Sequence, residues 1–153
     1  MPLYLVRHGQ ADLGTFNPDP SLAAEGRAEV DRMAHLLSAF AIPVSQVLYS
    51  SKIRARQTAA IMNHYLKPSS GINEIKGINP NDDVTEISNI IEPSNNTMLV
   101  SHLPFLERLL SYLIIGTTDK TIIMFQTAGI VCLDKDSGKE SWHIKWALMP
   151  EMK

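Results

Sequence analysis

Short apolar runs alternate along this chain with longer segments whose apolar residues recur at helical spacing. The apolar runs predict strands, and the amphipathic segments predict the helices that connect them. Four strands are predicted in the first two thirds of the chain, at residues 3–7, 46–49, 72–75 and 97–100. An alternation of strands and helices of this kind is typical of an α/β sheet with parallel strands.

Four helices are predicted between and after these strands. The first two cover residues 22–40 and 53–65, and we expect Ser50 or Ser51 to cap the second. A third helix carries an apolar stripe made of Val84, Ile87, Ile90 and Ile91. The fourth has Pro104 at its first turn and ends at Gly116.

The last third of the chain has a different pattern. Residues 128–133 and 142–148 flank a polar loop, and the second segment alternates apolar and polar positions as a half-buried strand does. We therefore predict a β-hairpin at one edge of the sheet. The predicted fold is a three-layer α/β sandwich with a central, mostly parallel sheet and a C-terminal β-hairpin, formed as one domain by residues 1–153.

Composition and charge exclude several classes of protein. The chain has 153 residues, 44% of them hydrophobic, and a net charge of −2 with no polybasic run, which argues against nucleic-acid binding. No apolar stretch approaches the roughly 18 residues of a membrane span, and the N-terminus lacks the pattern of a signal peptide. Cys132 is the one cysteine and falls in an apolar run, so we expect a buried thiol and a cytoplasmic protein without membrane partners.

The candidate chemistry begins at the end of the first strand. Arg7 and His8 stand where open α/β sheets place their ligands. A neutral imidazole can act as a nucleophile, and a guanidinium matches the geometry of phosphate oxygens. Gly9 gives the chain room to turn and a ligand room to approach. The tripeptide alone is weak evidence, because a single histidine is more often a structural residue.

Two further basic residues share this context. Arg54 lies at the start of the helix after the second strand, and His102 follows the fourth strand. If these strands are parallel neighbours, both residues reach the same sheet edge as Arg7 and His8. Helix N-termini at this edge add backbone N–H groups and positive dipole ends. We therefore predict a pocket for a dianion, with phosphate as the obvious ligand.

The order and context of these motifs resemble the histidine phosphatase superfamily, also called phosphoglycerate mutase-like. Residues 5–11 are similar to its first motif, residues 51–59 to its second and residues 100–104 to its third, while residues 22–26 match the helix start after the first motif. The short chain, together with Glu74, Pro80 and Asp83, most resembles the SixA-type phosphohistidine phosphatases. Lys52 stands where the second motif usually has proline, and Ala23 stands where the helix start usually has threonine.

The resemblance implies a mechanism that needs no metal or other cofactor. His8 would attack phosphorus and become a phosphohistidine, while Arg7, Arg54 and His102 hold the phosphoryl oxygens. Gln10 is a further candidate for phosphate binding. Glu74 and Asp83 are candidates for a proton donor, although each is at least as well explained as a helix cap or a solvated carboxylate.

The resemblance also implies a substrate. We expect a phosphorylated protein, either a His-containing phosphotransfer domain or a phosphocarrier, with inorganic phosphate as the product. Two alternatives stay open from the sequence. One is a phosphatase of the same superfamily that hydrolyses small phosphomonoesters, and the other is a module that binds phosphorylated ligands without turnover. A metal site at His8 and His102 is disfavoured, because the neighbouring arginines would repel a cation.

Overall fold

The computed structural model describes residues 2–14, 16–87, 91 and 95–152. Strands and helices follow one another through most of this length. In chain order they are β1 (Leu3–Arg7), α1 (Ala24–Ala39), β2 (Gln46–Tyr49), α2 (Ile53–Leu66), β3 (Ile72–Glu74), α3 (Val84–Ile87), β4 (Thr97–Ser101), α4 (Phe105–Ile115), β5 (Ile130–Lys135) and β6 (Trp142–Leu148).

The strands form one six-stranded sheet in the order β3-β2-β4-β1-β5-β6. The first four strands in this order are parallel, whereas β5 pairs antiparallel with β1 and β6 antiparallel with β5. The predicted C-terminal hairpin at a sheet edge is confirmed. Because β2, β4 and β1 are adjacent and parallel, their carboxyl ends share one edge of the sheet.

The sheet is the middle of three layers, as predicted. Successive residues of β1 alternate between its two faces. Leu3 and Leu5 pack in one core with α3 and α4, and Tyr4 and Val6 pack in the other with α1 and α2. Both faces of the parallel strands are therefore buried, which explains why β1 and β4 are almost wholly apolar.

Several element boundaries differ from prediction. Helix α1 begins at Ala24 rather than Leu22, because Leu22 forms a β-bridge with Ala11 and its N–H donates to Gln57 Oε1 at 2.8 Å. The structure describes helix α3 over Val84–Ile87, and Ile90 of its predicted stripe lies outside the described residues.

Other details agree with the sequence pattern. Gly116 ends α4 with φ of +80°, and Cys132 is a buried free thiol. None of the helices in the described ranges combines the length and apolar content that crossing a bilayer requires.

Candidate active site

His8 is held by its own backbone neighbour. Its Nδ1 lies 2.6 Å from the carbonyl oxygen of Gly9, and the side chain is almost completely buried. A carbonyl oxygen only accepts, so Nδ1 carries the ring hydrogen and Nε2 presents a lone pair. Arg54 Nε donates to this Nε2 at 3.3 Å, which agrees with that tautomer. The ring therefore directs an unprotonated nitrogen at a guanidinium.

The surroundings of His8 keep the imidazole neutral. The pKa of His8 is lowered from 6.5 to about 4, mainly by burial; the Gly9 hydrogen bond opposes this shift, and the charges of Arg54 and Arg7 contribute to it. At physiological pH the ring is thus a neutral nucleophile rather than an imidazolium ion.

Two guanidiniums flank this imidazole. Arg7 Nη1 donates to the carbonyl oxygen of Phe125 at 2.8 Å, which fixes the end of its side chain. Arg54 lies in the first turn of α2, and its Nη1 is 3.7 Å from Asp19 Oδ1. Burial lowers the pKa of both arginines, but guanidiniums stay charged in proteins. The site therefore holds two fixed positive charges beside a neutral nucleophile.

His102 faces His8 from the end of β4. The two ring centroids are 4.8 Å apart, and His102 Nε2 lies 2.5 Å from Ser50 Oγ. The pKa of His102 is lowered from 6.5 to about 3, mainly by burial and to a smaller extent by the neighbouring His8 and the charges of Arg54, Lys52 and Arg7. His102 is therefore also neutral, and Lys52 acts on the site through its charge.

These four residues, Arg7, His8, Arg54 and His102, are brought together at the sheet edge predicted from the sequence; we call them the phosphate-site cluster. Two of its buried polar atoms, Arg7 Nε and His102 Nδ1, have no hydrogen-bond partner among the described residues. Buried polar groups in native proteins are almost always paired. Donors and positive charge that converge on a nucleophile are suited to a ligand with several anionic oxygens.

Comparisons with known proteins identify the family. A family model described as "Histidine phosphatase superfamily (branch 1)" matches residues 3–78. The phosphohistidine phosphatase SixA of Escherichia coli (strain K12) is 27% identical over 98% of this chain and 94% of its own length. The chain belongs to the histidine phosphatase superfamily.

Solved structures of phosphatases have the same fold. A structure of the protein histidine phosphatase SixA complexed with tungstate superimposes with a TM-score of 0.85 at 26% identity, over 98% of this chain and 97% of that one. A mycobacterial glucosyl-3-phosphoglycerate phosphatase gives a TM-score of 0.73 at 14% identity, over 95% of this chain and 97% of its own. The second likeness concerns the fold alone.

The remaining predicted site residues lie at the margins of the cluster. Gln10 is exposed and, with Arg7, lines a cleft of about 570 Å³. Glu74 ends β3 on the other side and lines a cleft of about 480 Å³ together with Asp83. Neither carboxylate has a hydrogen bond or ion pair to the cluster within the part of the chain that the structure describes.

Asp83 has a structural role in this histidine phosphatase. Its Oδ1 accepts hydrogen bonds from the backbone N–H and the hydroxyl of Thr85, at 2.9 and 2.8 Å, at the start of α3. These hydrogen bonds lower the pKa of Asp83, so it stays ionised at neutral pH. This geometry agrees with the helix-cap interpretation and disfavours Asp83 as a proton donor.

Two neighbouring residues have contacts that the sequence did not indicate. A Cβ on Gly9 would lie 2.6 Å from Val30 Cγ2, so the contact with α1 also requires glycine here, and the room that Gly9 gives a ligand stays a prediction. The predicted serine cap of α2 is wrong. The helix begins after Lys52, Ser50 contacts His102 instead, and the backbone N–H of Ile53 donates to Asp19 Oδ1 at 3.1 Å.

Three functional neighbours were missed from the sequence. Ser50 contacts His102, Asp19 contacts Arg54, and Thr58 Oγ1 accepts from the N–H of Gly9 at 3.1 Å while donating to the carbonyl of Arg54 at 2.8 Å. Only Ser50 had a local signal, because it directly follows a strand whose end forms the site. Among the described residues, no group of three or more His, Cys, Asp or Glu side chains is arranged to hold a metal ion.

Proposed function

We propose that this chain is a phosphohistidine phosphatase that works through a phosphohistidine on His8 and requires no metal. The observation that carries the proposal is the state of His8, whose Nδ1 is held by Gly9 while a neutral Nε2 faces Arg54 at 3.3 Å. Similarity to SixA over nearly the full length of both chains supports the choice of reaction.

In the first step His8 Nε2 attacks the phosphorus of the substrate. A bond from Nε2 to phosphorus forms as the bond from phosphorus to the substrate imidazole breaks, and the electron pair of the broken bond stays on the leaving imidazole. Arg7, Arg54 and His102 hold the equatorial oxygens, and positioning with charge stabilisation supplies most of the catalysis of phosphoryl transfer. One N–P bond replaces another, so the step is close to balanced in free energy.

In the second step water attacks the phosphohistidine on His8. The bond between Nε2 and phosphorus breaks, its electron pair returns to Nε2, and inorganic phosphate leaves. The surroundings that lower the pKa of His8 to about 4 also favour its release as the neutral ring, ready for another cycle.

The leaving group determines how much acid catalysis is needed. An imidazole departs with less help from a proton donor than an alkoxide does, which suits a site where the carboxylate of Asp19 is bound to Arg54 and the start of α2. We therefore expect Glu74→Gln and Asp83→Asn to retain most of the activity on phosphohistidine. A role for either residue as proton donor would be restricted to ester substrates.

We infer that the substrate is a protein, either a His-containing phosphotransfer domain or a phosphocarrier. The clefts beside the cluster are open to solvent rather than enclosed, which suits a phosphorylated side chain presented on a protein surface. Gln10 is proposed to contact the phosphoryl group from the Arg7 side. A cytoplasmic location stays a prediction from the sequence, in which Cys132 is the one cysteine and falls in an apolar run.

The experiment is phosphate release in the presence of a chelator, from a phosphorylated phosphotransfer domain and from an aryl phosphate. We expect fast release from the phosphoprotein, slow release from the ester, and loss of both with His8→Ala. His143→Ala is the matched control, because His143 is exposed on β6. Rapid quenching with labelled substrate should trap phosphate on His8. Turnover of the ester alone would indicate a small-molecule phosphatase, and tight phosphate binding without turnover would indicate a binding module.

A further inference from the structure

A short loop with two solvent-exposed apolar side chains borders the phosphate-site cluster. Its neck is closed by the β-bridge of Ala11 with Leu22 and by the hydrogen bond from Asp12 N to Ser21 O at 2.8 Å. The loop begins a few residues after His8 in the chain, and its Asp19 contacts Arg54. It therefore stands at the mouth of the site.

The tip of this loop presents apolar surface to solvent. Leu13 is 85% exposed and Phe16 is fully exposed. Met124 is 73% exposed, precedes Phe125, whose carbonyl binds Arg7, and lines the same cleft as Arg7 and Gln10. Exposed large apolar side chains that border a reactive site offer an interaction surface to a partner. We call these three residues the apolar rim.

The charges around the cluster restrict what can bind there. The loop from residue 10 to residue 22 has two acidic residues and no lysine or arginine. The cleft on the other side is lined by four carboxylates and one lysine, namely Glu74, Asp82, Asp83, Glu86 and Lys76. A phosphoryl group is attracted to Arg7, Arg54 and Lys52, but negative charge further out on the ligand meets carboxylates.

We propose that the apolar rim is a docking surface for a phosphoprotein whose phosphohistidine is surrounded by apolar and basic residues. This inference rests on the proposed function and adds to it the surface that selects the substrate. A small phosphorylated metabolite with further acidic groups would be repelled and would not reach Leu13 or Phe16. A second copy of this chain would bring its own acidic surroundings against the same carboxylates, so it fits the surface poorly.

The structure supplies a matched control for this surface. Phe40 is 71% exposed, and it ends α1, which runs back from the site to the opposite edge of the sheet. Phe40→Ser therefore removes a similar exposed ring from a place that a docked substrate does not contact. The test variant is the double substitution Leu13→Ser/Phe16→Ser.

The measurement is kcat/KM for two kinds of substrate. The protein probes are a His-containing phosphotransfer domain and a phosphocarrier, each phosphorylated on histidine, and the small probe is free phosphohistidine. Loss of two apolar contacts should lower kcat/KM for at least one protein probe about tenfold or more, mainly through KM. Turnover of free phosphohistidine should change less than about twofold, because it cannot reach the rim. Phe40→Ser should behave as wild type on every probe.

Several outcomes would overturn the docking surface while leaving the phosphatase intact. One is an equal loss of kcat/KM on free phosphohistidine and on the protein probes in the double variant. Another is a loss in Phe40→Ser that matches the loss in the double variant. The third is a wild-type enzyme whose kcat/KM is no higher for the protein probes than for free phosphohistidine. A change in oligomeric state in the double variant would make the rim an interface between copies. Absence of release from any phosphohistidine probe by wild type would instead refute the proposed function, and the docking surface with it.

Ionic strength provides a second readout. If the carboxylates around the cluster attract a basic substrate surface, added salt should lower kcat/KM for the protein probe more than for free phosphohistidine. A protein reaction that accelerates with salt would contradict the charge argument.

Discussion

Ser50 Oγ and His102 Nε2 lie 2.5 Å apart and join the ends of two neighbouring parallel strands. The backbone N–H of Lys52 donates to the same hydroxyl at 3.4 Å, which leaves the hydroxyl hydrogen for the imidazole. His102 then accepts at Nε2 and carries its own hydrogen on Nδ1, the buried atom that has no partner within the described part of the chain. In this arrangement the ring presents an Nδ1–H donor, which fits the phosphoryl ligand proposed above.

We predict that Ser50→Ala lowers kcat/KM by about 10- to 100-fold, because loss of a positioned donor to the transferred phosphoryl group costs up to that order. Without the hydroxyl, the ring is free to place its hydrogen on Nε2, and the Nδ1 donor is lost. Nitrogen NMR of labelled histidine should detect the change of tautomer in the folded enzyme.

Ser50→Thr is the conservative control for this prediction. It keeps a hydroxyl at the same position and should retain most of the activity and the wild-type tautomer. An alanine variant that loses activity with an unchanged His102 tautomer would show that Ser50 acts through packing rather than through the hydrogen.

Asp19 is expected to act on both stability and catalysis. Its Oδ1 accepts from the N–H of Ile53 and lies 3.7 Å from Arg54 Nη1. Asp19→Ala should cost about 1 kcal/mol of folding free energy, as loss of a helix cap does. The variant should also lower kcat/KM, since Arg54 loses a contact that orients it.

Asp19→Asn separates these two effects. Its amide oxygen can still accept from Ile53, so urea unfolding should give a stability close to that of wild type, while the carboxylate charge beside Arg54 is gone. If the Asp19→Asn and Asp19→Ala variants are equally destabilised, the hydrogen bond from the N–H of Ile53 is not the source of the lost stability. If the Asn variant has full activity, the charge of Asp19 does not contribute.

The sequence predicted the site because its residues follow strand ends. Arg7, His8 and His102 each come at or directly after a buried strand, and a parallel sheet brings such ends together whatever the loops do. Contacts between side chains from different elements leave no such pattern. Asp19 lies 34 positions from the residue it caps, and the contact of Gly9 with Val30 depends on how α1 packs on the sheet.

Gly26 offers a test of how α1 supports the site. A Cβ at this position would lie 2.2 Å from the carbonyl oxygen of Gln10, a backbone atom that also accepts from Ala23 N. Gly26→Ala must therefore displace the chain just after His8 and should destabilise the fold by about 1–3 kcal/mol. Gly14→Ala is the control, because its Cβ would make only an ordinary contact at 3.4 Å. Equal melting temperatures for the two variants would contradict this account.

The two buried imidazoles make the folded enzyme sensitive to acid. The pKa of His8 is lowered to about 4 and that of His102 to about 3, both below the value of 6.5 for an unfolded histidine. Below pH 6.5 the unfolded chain binds protons on these two imidazoles, whereas the folded protein does not. The free energy of unfolding is therefore highest above pH 6.5 and falls as the pH approaches 4. Each imidazole contributes a loss of about 1.4 kcal/mol per pH unit in this window.

Urea unfolding between pH 7.5 and 5 checks this prediction through the slope of stability against pH. His8→Ala or His102→Ala removes one imidazole. Below pH 6, each variant should therefore lower the slope of unfolding free energy against pH by the contribution of about one proton. Arg56→Ala, which removes an exposed side chain of α2 and leaves both imidazoles in place, should keep the wild-type slope. An unchanged slope in both histidine variants would mean that the two rings titrate in the folded enzyme as they do in the unfolded chain. His8 would then be substantially protonated near pH 6, and kcat/KM would fall there rather than near pH 4.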